Sequence, residues 1–321
     1  MKTIRRLPHS LRRLQTRLFL AAPMILLLLA TQDMAVAESV TGNFSAVSGD
    51  LNTRDRILLR TKKIYVTSYQ DDMVEVFSLR GSDLGVFAQV PGPTGLVFDD
   101  VGNLFVSSGR RPNFSIRKFA PDGTGSIFAD SSSGLEGPHA LVFDEAGNLY
   151  VANASGNTIE KFTPDGVGTI FADSGDGLDT PIDLAFDTAG NLYVSNLTGG
   201  PAHTGSVLKF TPDGVGSVFA DSGFASAFGL AFDRAGNLYV SNIDSNTVEE
   251  FSPTGEDLGV FASTGLAGPL GMMFDRNGNL YVANRGNSTI EKFSPTGEDL
   301  GVFAQTGEGP HFLTMFRPTH N

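Results

Sequence analysis

A five-residue phrase, GNLYV, recurs along this chain at nearly even spacing. It is found at 102–106 (as GNLFV), 147–151, 190–194, 236–240 and 278–282, and its leucines lie 45, 43, 46 and 42 residues apart. A weaker copy, KIYV at 63–66, places Ile64 40 residues before Leu104. A repeat of this length is one supersecondary unit that cannot bury its apolar faces alone and must stack on its neighbours. The sequence therefore predicts six stacked units in one domain.

Each unit contains four short segments with the composition of β-strands. In the fifth unit these segments are GLAFD (229–233), LYVSN (238–242), NTVEEF (246–251) and LGVFA (258–262). Turn-forming Gly, Asn and Pro residues separate them, and no segment has helical periodicity over the length of a helix. Four-stranded antiparallel units repeated around an axis are the blades of a β-propeller. We therefore expect an all-β, six-bladed β-propeller.

The two ends of the repeat region predict how the ring closes. The first unit begins with a second strand, KIYV, and the last segment, GPHFLTMF (309–316), aligns with the first strand GPLGMMFD (268–275). Pairing of the C-terminal strand with the N-terminal blade would remove two exposed sheet edges. An alternative first strand, Arg56–Leu59, lies at the right spacing before Ile64. We favour the C-terminal strand, because GVFAQTGEGP before it also fits the repeat, and we expect the propeller to span 63–321.

The N-terminal region differs from the rest of the chain. Six Lys and Arg residues precede a 13-residue apolar run (18–30), and Ala35-Val36-Ala37 follows. This order is typical of a secretory signal peptide, which we assign to 1–37, with a linker over 38–62. The sequence thus predicts a secreted or periplasmic protein. Paired arginines allow a twin-arginine as well as a general export route, and an uncleaved anchor is the alternative, although the apolar run is short for a membrane span.

Charge and composition restrict the class of partner. The whole chain carries a formal charge of −12, and removal of 1–37 would leave 17 Lys and Arg against 34 Asp and Glu. An acidic surface repels nucleic acid and anionic lipid, so we expect neither as a partner. We also expect no stable membrane span after cleavage of the signal peptide. A small polar ligand, a cation or a protein partner fits better, and we expect a monomer. The absence of Cys excludes disulfides and thiolate metal sites.

Repeated residues are interpreted as structural. Phe residues recur at one place in the first strands and at another in the third strands, and we expect them in the core between blades. An Asp recurs in the D-x-x-G-N turn, where its side chain is expected to accept backbone N–H bonds. These positions are Phe98, Phe143, Phe186, Phe232 and Phe274; Phe119, Phe162, Phe210, Phe251 and Phe293; and Asp99, Asp144, Asp187, Asp233 and Asp275.

Residues that differ between repeats indicate where a specific site lies. They cluster at the end of the ring where first strands begin and second strands end. A near-ring of polar residues there predicts ligand contacts, and the alternative is that each Asn caps its own loop. The ring consists of Asn153, Asn196, Asn242, Asn284, Ser68, Ser108 and Thr94. His139, Asp183 and His311, from three first strands, are candidate catalytic acid and base residues or metal ligands.

The repeat pattern GP-x-GLAFD-x-x-GNLYVSN…NTI-x-KF-x-PDG resembles the NHL repeat over residues 63 to 316. It is similar also to the six-bladed gluconolactonase-type and streptogramin-lyase-type propellers. The gluconolactonase resemblance implies a metal-binding Glu in a GEGP-like motif, which Glu308 and Glu136 match in type. His139, Asp183 and His311 are candidate metal ligands on their residue types alone, and Glu136 and Glu308 join them through the resemblance. The cofactor we consider is therefore a divalent cation (Ca, Mg or Zn) at the channel mouth.

These observations lead to two functional hypotheses. The first is an exported, non-catalytic module that binds a ligand or a protein through the loop end of the channel. The alternative is a metal-dependent hydrolase or lyase of the gluconolactonase or streptogramin-lyase type. Streptogramin-type lyases have Trp-rich repeats and this chain contains no Trp. The gluconolactonase pattern also has Asn and Asp metal ligands where other first strands begin. The corresponding stretches here read PTG, PID, AFG and PLG.

Overall fold

The computed structural model describes residues 63–200 and 205–316. These residues form six antiparallel sheets of four strands each, which confirms the predicted all-β propeller. Helical geometry within the described ranges is limited to two 3-10 turns, Ser131–Ser133 and Ser174–Asp176. The expected signal peptide (1–37) and linker (38–62) lie outside the described residues and stay predictions.

The strands follow one order in every blade, from the channel outward. Blades 2 to 6 each take four consecutive strands, and blade 1 takes its inner strand from the end of the chain. The strands are β1 (Lys63–Ser68), β2 (Met73–Ser78), β3 (Asp83–Gln89), β4 (Pro93–Phe98), β5 (Leu104–Ser108), β6 (Ser115–Phe119), β7 (Gly125–Asp130), β8 (Pro138–Phe143), β9 (Leu149–Asn153), β10 (Thr158–Phe162), β11 (Gly168–Ala172), β12 (Pro181–Phe186), β13 (Leu192–Asn196), β14 (Ser206–Phe210), β15 (Gly216–Ala220), β16 (Ala227–Phe232), β17 (Leu238–Asn242), β18 (Thr247–Phe251), β19 (Asp257–Ala262), β20 (Pro269–Phe274), β21 (Leu280–Asn284), β22 (Thr289–Phe293), β23 (Asp299–Gln305) and β24 (Pro310–Met315).

The last strand closes the ring. β24 pairs antiparallel with β1, with Tyr65 opposite Thr314 and Val66 opposite Leu313. Each of the six inner strands, β4, β8, β12, β16, β20 and β24, contacts the inner strands of both neighbouring blades. The predicted closure by the C-terminal strand is therefore confirmed, and the inner position that Arg56–Leu59 would have taken belongs to β24. Closure leaves edges only at the outer strands of the blades.

Aromatic residues fill the space between blades. Between blades 3 and 4, the ring of Tyr150 makes edge contacts with Phe171 and Phe186, at centroid distances of 5.1 and 5.2 Å. Phe171 in turn contacts Phe210, at 5.8 Å. Tyr150 lies on the second strand and Phe171 on the outer strand of one blade, while Phe186 and Phe210 belong to the next blade.

The same four-ring contact recurs around the propeller, which confirms the predicted interblade core and adds the outer-strand Phe that the sequence analysis did not identify. Third-strand Phe residues are buried, and first-strand Phe residues are half-buried. The equivalent sets are Tyr65, Phe87, Phe98 and Phe119; Phe105, Phe128, Phe143 and Phe162; and Tyr193, Phe219, Phe232 and Phe251.

Buried hydroxyl groups link neighbouring inner strands. In blade 5 the register between β16 and β17 shifts between Ala227 and Leu230. The backbone N–H of Gly229, within this shift, donates to Ser241 Oγ at 2.8 Å, and Ser241 Oγ donates to the carbonyl of Leu270 in blade 6 at 2.7 Å. Thr67, Ser107 and Ser195 make the equivalent bridges in three other blades. Blades 3 and 6 have Ala152 and Ala283 at this position.

The D-x-x-G-N turns form as predicted at the opposite end from the variable loops. In blade 4, Asp187 accepts hydrogen bonds from the backbone N–H and the side-chain amide of Asn191, at 2.8 and 2.7 Å. The same pair of bonds joins Asp99 to Asn103, Asp144 to Asn148, Asp233 to Asn237 and Asp275 to Asn279. The structural interpretation of these aspartates is therefore confirmed.

Candidate functional site at the loop end of the channel

The cavities at the two ends of the propeller differ in their lining. At the end with the D-x-x-G-N turns, cavities of about 690 and 760 Å³ lie between blades and are lined largely by the turn residues that the repeats share. A cavity of about 430 Å³ at the channel mouth of that end is lined mostly by apolar residues at the ends of the six inner strands. At the other end, which we call the loop end, a cavity of about 270 Å³ lies at the channel mouth. Its lining consists of Tyr69, Thr94, Gly109, Gly137, His139, Ala154, Ser155, Arg285 and His311. We take the loop-end cavity as the candidate site, because its lining differs from blade to blade.

The cavity exists because small residues occupy two blades at one repeated position. The residue directly after each second strand is Gly109 in blade 2 and Ala154 in blade 3, and both line the cavity. Leu197 and Ile243 occupy the equivalent position in blades 4 and 5, where they pack, partly buried, against the core. In blades 1 and 6 the position is held by Tyr69 and Arg285, which contribute functional groups to the lining.

Two histidines meet within this cavity. The rings of His139, on β8, and His311, on β24, have centroids 6.0 Å apart, and Tyr69 stacks on His311 at 5.0 Å with an interplanar angle of 18°. Phe228 makes edge contacts with both histidines, at 6.0 and 6.2 Å. The structure thus brings together two of the three predicted catalytic residues, on an aromatic wall.

Burial keeps both histidines uncharged near neutral pH. Burial lowers the pKa of His139 to about 4, and burial, His139 and the charge of Arg285 together lower the pKa of His311 to about 3. His311 is 8% exposed, and the Nδ1 atoms of both histidines are buried with no hydrogen-bond partner in the described part of the chain. A buried polar atom without a protein partner is uncommon in native structures, where such atoms pair with ordered water or a ligand.

The third predicted catalytic residue, Asp183, does not line this cavity. It is buried on β12, and its carboxylate accepts hydrogen bonds from the backbone N–H of Leu184 at 2.8 Å and of Leu230, in the next blade, at 2.7 Å. Burial raises its pKa to about 7, and the two backbone hydrogen bonds oppose this rise. Asp183 therefore joins blade 4 to blade 5, apart from the histidine pair.

The four asparagines of the predicted polar ring are fully buried. In blade 4, the Nδ2 of Asn196 donates to the Gly177 carbonyl at 2.9 Å and to Ser206 Oγ at 3.3 Å, and its Oδ1 accepts from the Asp179 N–H at 3.1 Å. Asn153, Asn242 and Asn284 make the same three kinds of bond in their own blades. Since each side chain holds the loop that precedes its inner strand, the geometry favours the capping alternative over direct ligand contact.

The remaining ring residues are also buried and bonded within the protein. Ser68 Oγ donates to the Glu75 carboxylate, and Ser108 Oγ donates to the Pro91 carbonyl. Thr94 Oγ1 donates to the Pro138 carbonyl at 2.8 Å. Of the predicted ligand-binding residues, Thr94 alone lines the loop-end cavity.

The donor set does not fit the divalent metal that the family resemblance implies. Glu136 and Glu308 are exposed, and their backbone N–H groups donate to Asn153 Oδ1 and Asp71 Oδ2 in loop-forming bonds. In the described part of the chain, no three His, Asp or Glu side chains come close enough together to hold one metal ion. His139 and His311 therefore lack the carboxylate partner that a metal site of this kind requires.

Sequence reasoning did not identify Tyr69, Arg285 or Ser155. Tyr69 and Arg285 directly follow second strands, one position beyond the polar ring. The six copies of that position are Tyr69, Gly109, Ala154, Leu197, Ile243 and Arg285, so the same comparison of repeats, extended by one residue, would have found them.

The architecture and its channel define the chain as a six-bladed β-propeller, and solved structures share this fold. A chain of a crystal structure of a nidogen/laminin complex is similar with a TM-score of 0.69 and 19% identity, over 80% of this chain and 99% of that chain. The X-ray structure of a putative gluconolactonase is similar with a TM-score of 0.57 and 22% identity, over 66% of this chain and 77% of that chain. At such low identity the likeness concerns the fold alone. No family model and no curated protein matches the chain.

Among the described residues there is no helix with the length and apolar character that crossing a membrane requires.

Proposed function

We propose that this chain is an exported binding module that holds a small ligand in the loop-end cavity. The observation that carries the proposal is the cavity itself, whose lining combines the paired histidines with Tyr69, Ser155 and Arg285. A concave site with an apolar or aromatic wall and a few convergent polar groups is the usual form of a small-molecule site. Export is proposed on the charge and apolar pattern of residues 1–37.

The enzyme alternative has less support. A metal-dependent hydrolase needs a ligand set that the described residues do not assemble. General acid–base catalysis near neutral pH needs a group whose pKa lies near the working pH, whereas the pKa values of His139 and His311 are lowered to about 4 and about 3. Asp183, whose pKa is raised to about 7, does not line the cavity.

The chain offers its own template for a test of the binding proposal. Ala154→Leu introduces into blade 3 the side chain that Leu197 places at the same position in blade 4. Ile243→Leu is the matched control, because it changes the equivalent residue of blade 5 without changing its volume. Wild type and both variants are screened by thermal shift against neutral sugars, amides, amines, carboxylates and divalent cations.

We expect at least one compound to raise the melting temperature of wild type and of Ile243→Leu but not of Ala154→Leu. If no compound in the screen stabilises wild type, or if every stabilising compound acts equally on Ala154→Leu, the loop-end cavity is not a small-ligand site. Turnover of a lactone that is lost in Ala154→Leu would favour the enzyme alternative.

A further inference from the structure

The loop-end cavity has the charge and shape to select one class of ligand. We propose that it binds a small carboxylate carried on a ring, held by the Arg285 guanidinium and packed beside the Tyr69 and His311 side chains that line the cavity. This inference rests on the proposed binding function and adds the chemical class of the ligand.

The charge of the cavity is opposite to that of the protein. The chain carries a formal charge of −12, yet among the residues that the structure describes no Asp or Glu side chain lines the cavity, and Arg285 is the charged residue of the lining. The exposed guanidinium of Arg285 makes no ion pair within the described ranges, although it is close enough to His311 to help lower the pKa of that imidazole. The net charge suggested cations or neutral ligands, but a cavity with an unpaired arginine and no carboxylate repels a cation and attracts an anion.

Two further arginines contact residues that line the cavity, but Arg285 is the principal candidate. Arg110 pairs with Asp72 at 2.6 Å and lies over the ring of Tyr69, with its guanidinium carbon 5.8 Å from the ring centroid. Arg111 donates to Ser155 Oγ at 3.3 Å. The charge of Arg110 is therefore offset, and Arg111 does not line the cavity. Arg285 does line it, and its guanidinium is available for the bidentate bonds that carboxylates make.

The histidine pair supplies uncharged hydrogen-bonding groups rather than a second charge. The Nδ1 atoms of His139 and His311 have no partner among the described residues, and both imidazoles are neutral near pH 7. A neutral imidazole has one donor and one acceptor nitrogen, so it can donate to a carboxylate oxygen without the repulsion that a second acid would cause. These nitrogens are closed off from the cavity in this conformation, so a ligand pairs with them only if an imidazole ring turns toward it, and that pairing would remove the cost of leaving them unpaired.

The volume and the aromatic lining of the cavity favour a ligand with one ring of modest size. Tyr69 and His311 are stacked almost parallel, and Phe228 meets both histidines edge-on. A volume of about 270 Å³ corresponds to about nine water molecules at the share of about 30 Å³ that each occupies in the liquid. Benzoate, with a planar ring and one carboxylate, is a probe of this size and chemistry, and benzamide has the same shape without the charge.

The test measures binding of benzoate and of benzamide to the whole protein by isothermal titration calorimetry. The variants are Arg285→Gln and, as a control, Arg276→Gln, which removes the same charge from an exposed position at the turn end of the same blade. We expect benzoate to bind wild type at least about tenfold more tightly than benzamide, Arg285→Gln to remove that difference, and Arg276→Gln to leave it unchanged. Ala154→Leu is expected to abolish binding of both.

The outcomes separate this inference from the proposed function. If benzamide binds as tightly as benzoate and Ala154→Leu abolishes both, the binding function stands and the carboxylate preference is wrong. The preference is also wrong if Arg276→Gln weakens benzoate as much as Arg285→Gln does, since the effect is then one of overall charge. If Ala154→Leu leaves benzoate affinity unchanged, benzoate binds elsewhere and the inference is overturned. If neither probe binds and the wider screen finds no ligand that Ala154→Leu excludes, both proposals fail together.

Discussion

The buried hydroxyl bridges between blades predict a measurable cost for the loss of one oxygen atom. Ser241 is fully buried, and its Oγ accepts from the Gly229 N–H and donates to the Leu270 carbonyl. Ser241→Ala removes both bonds and leaves two buried backbone groups without this partner. At about 1–2 kcal/mol for each group left unsatisfied, we expect a loss of about 2–4 kcal/mol in the free energy of unfolding.

Equilibrium unfolding in urea measures this loss as a lower midpoint at unchanged slope. Ser245→Ala is the control, because it makes the same substitution in the same blade at an exposed hydroxyl that contacts Thr247 Oγ1. The control is expected to change the free energy of unfolding by about 0.5 kcal/mol at most. If the two variants unfold at the same urea concentration, the hydroxyl bridges do not stabilise the contact between blades 5 and 6. A changed slope would instead indicate that the blades no longer unfold together.

Three further predictions concern closure, a loop cap and a buried acid. Truncation after Gly309 removes β24, which exposes the edge of β1 and deletes the buried Phe312, Leu313 and Phe316. We expect aggregation or loss of the folded ring, measured by size-exclusion chromatography and circular dichroism. A monodisperse folded product would refute closure by this strand. Asn196→Ala removes three hydrogen bonds. We expect it to lower the free energy of unfolding in urea by about 2–3 kcal/mol and to change benzoate affinity by no more than about twofold. Loss of affinity at unchanged stability would instead support the ligand-contact interpretation. Burial, followed by the neighbouring Asp299 carboxylate, raises the pKa of Glu291 to about 7, from 4.5 for a free Glu. Ionisation of Glu291 therefore opposes folding. The stability that its protonated carboxyl provides is fully present below about pH 4.5 and is lost as the pH rises through about 7. Glu291→Gln should be more stable relative to wild type at about pH 8 than at about pH 5, and an equal difference at both pH values would show that Glu291 does not titrate with a raised pKa.

The repeat made the fold predictable because each element of a propeller blade is local in sequence. Alternating apolar residues and Gly-Asn turns lie within about 40 residues of one another, and the strands they predict pair with their sequence neighbours. The long-range pairing between β24 and β1 was also predictable, since the last segment is an extra copy of a first strand. The turn aspartates were assigned correctly for the same reason, because Asp187 and Asn191 are four residues apart.

The candidate site was predictable only in part. Comparing the repeats found the loop end and the histidine pair, and His139 and His311 do meet across the channel. The same comparison placed Asp183 with them, but its carboxylate bonds to the backbone of the next blade. Residues at equivalent positions in different blades point toward one channel, yet the repeat does not say which of them remain exposed and which are used by neighbouring backbone groups.

By itself, the sequence determined the number of blades, the order of strands within them, the closure of the ring and the end at which the copies differ. These properties follow from patterns that repeat along the chain, so each copy supports the same conclusion. Only the tertiary structure decided which residues make the cavity. Gly109 and Ala154 leave space where Leu197 and Ile243 fill it, and Arg285 comes from a repeat far along the chain. The physical reason is that a channel site is assembled from residues of several blades, here blades 1, 2, 3 and 6, so its size and charge depend on side chains that are far apart in the sequence.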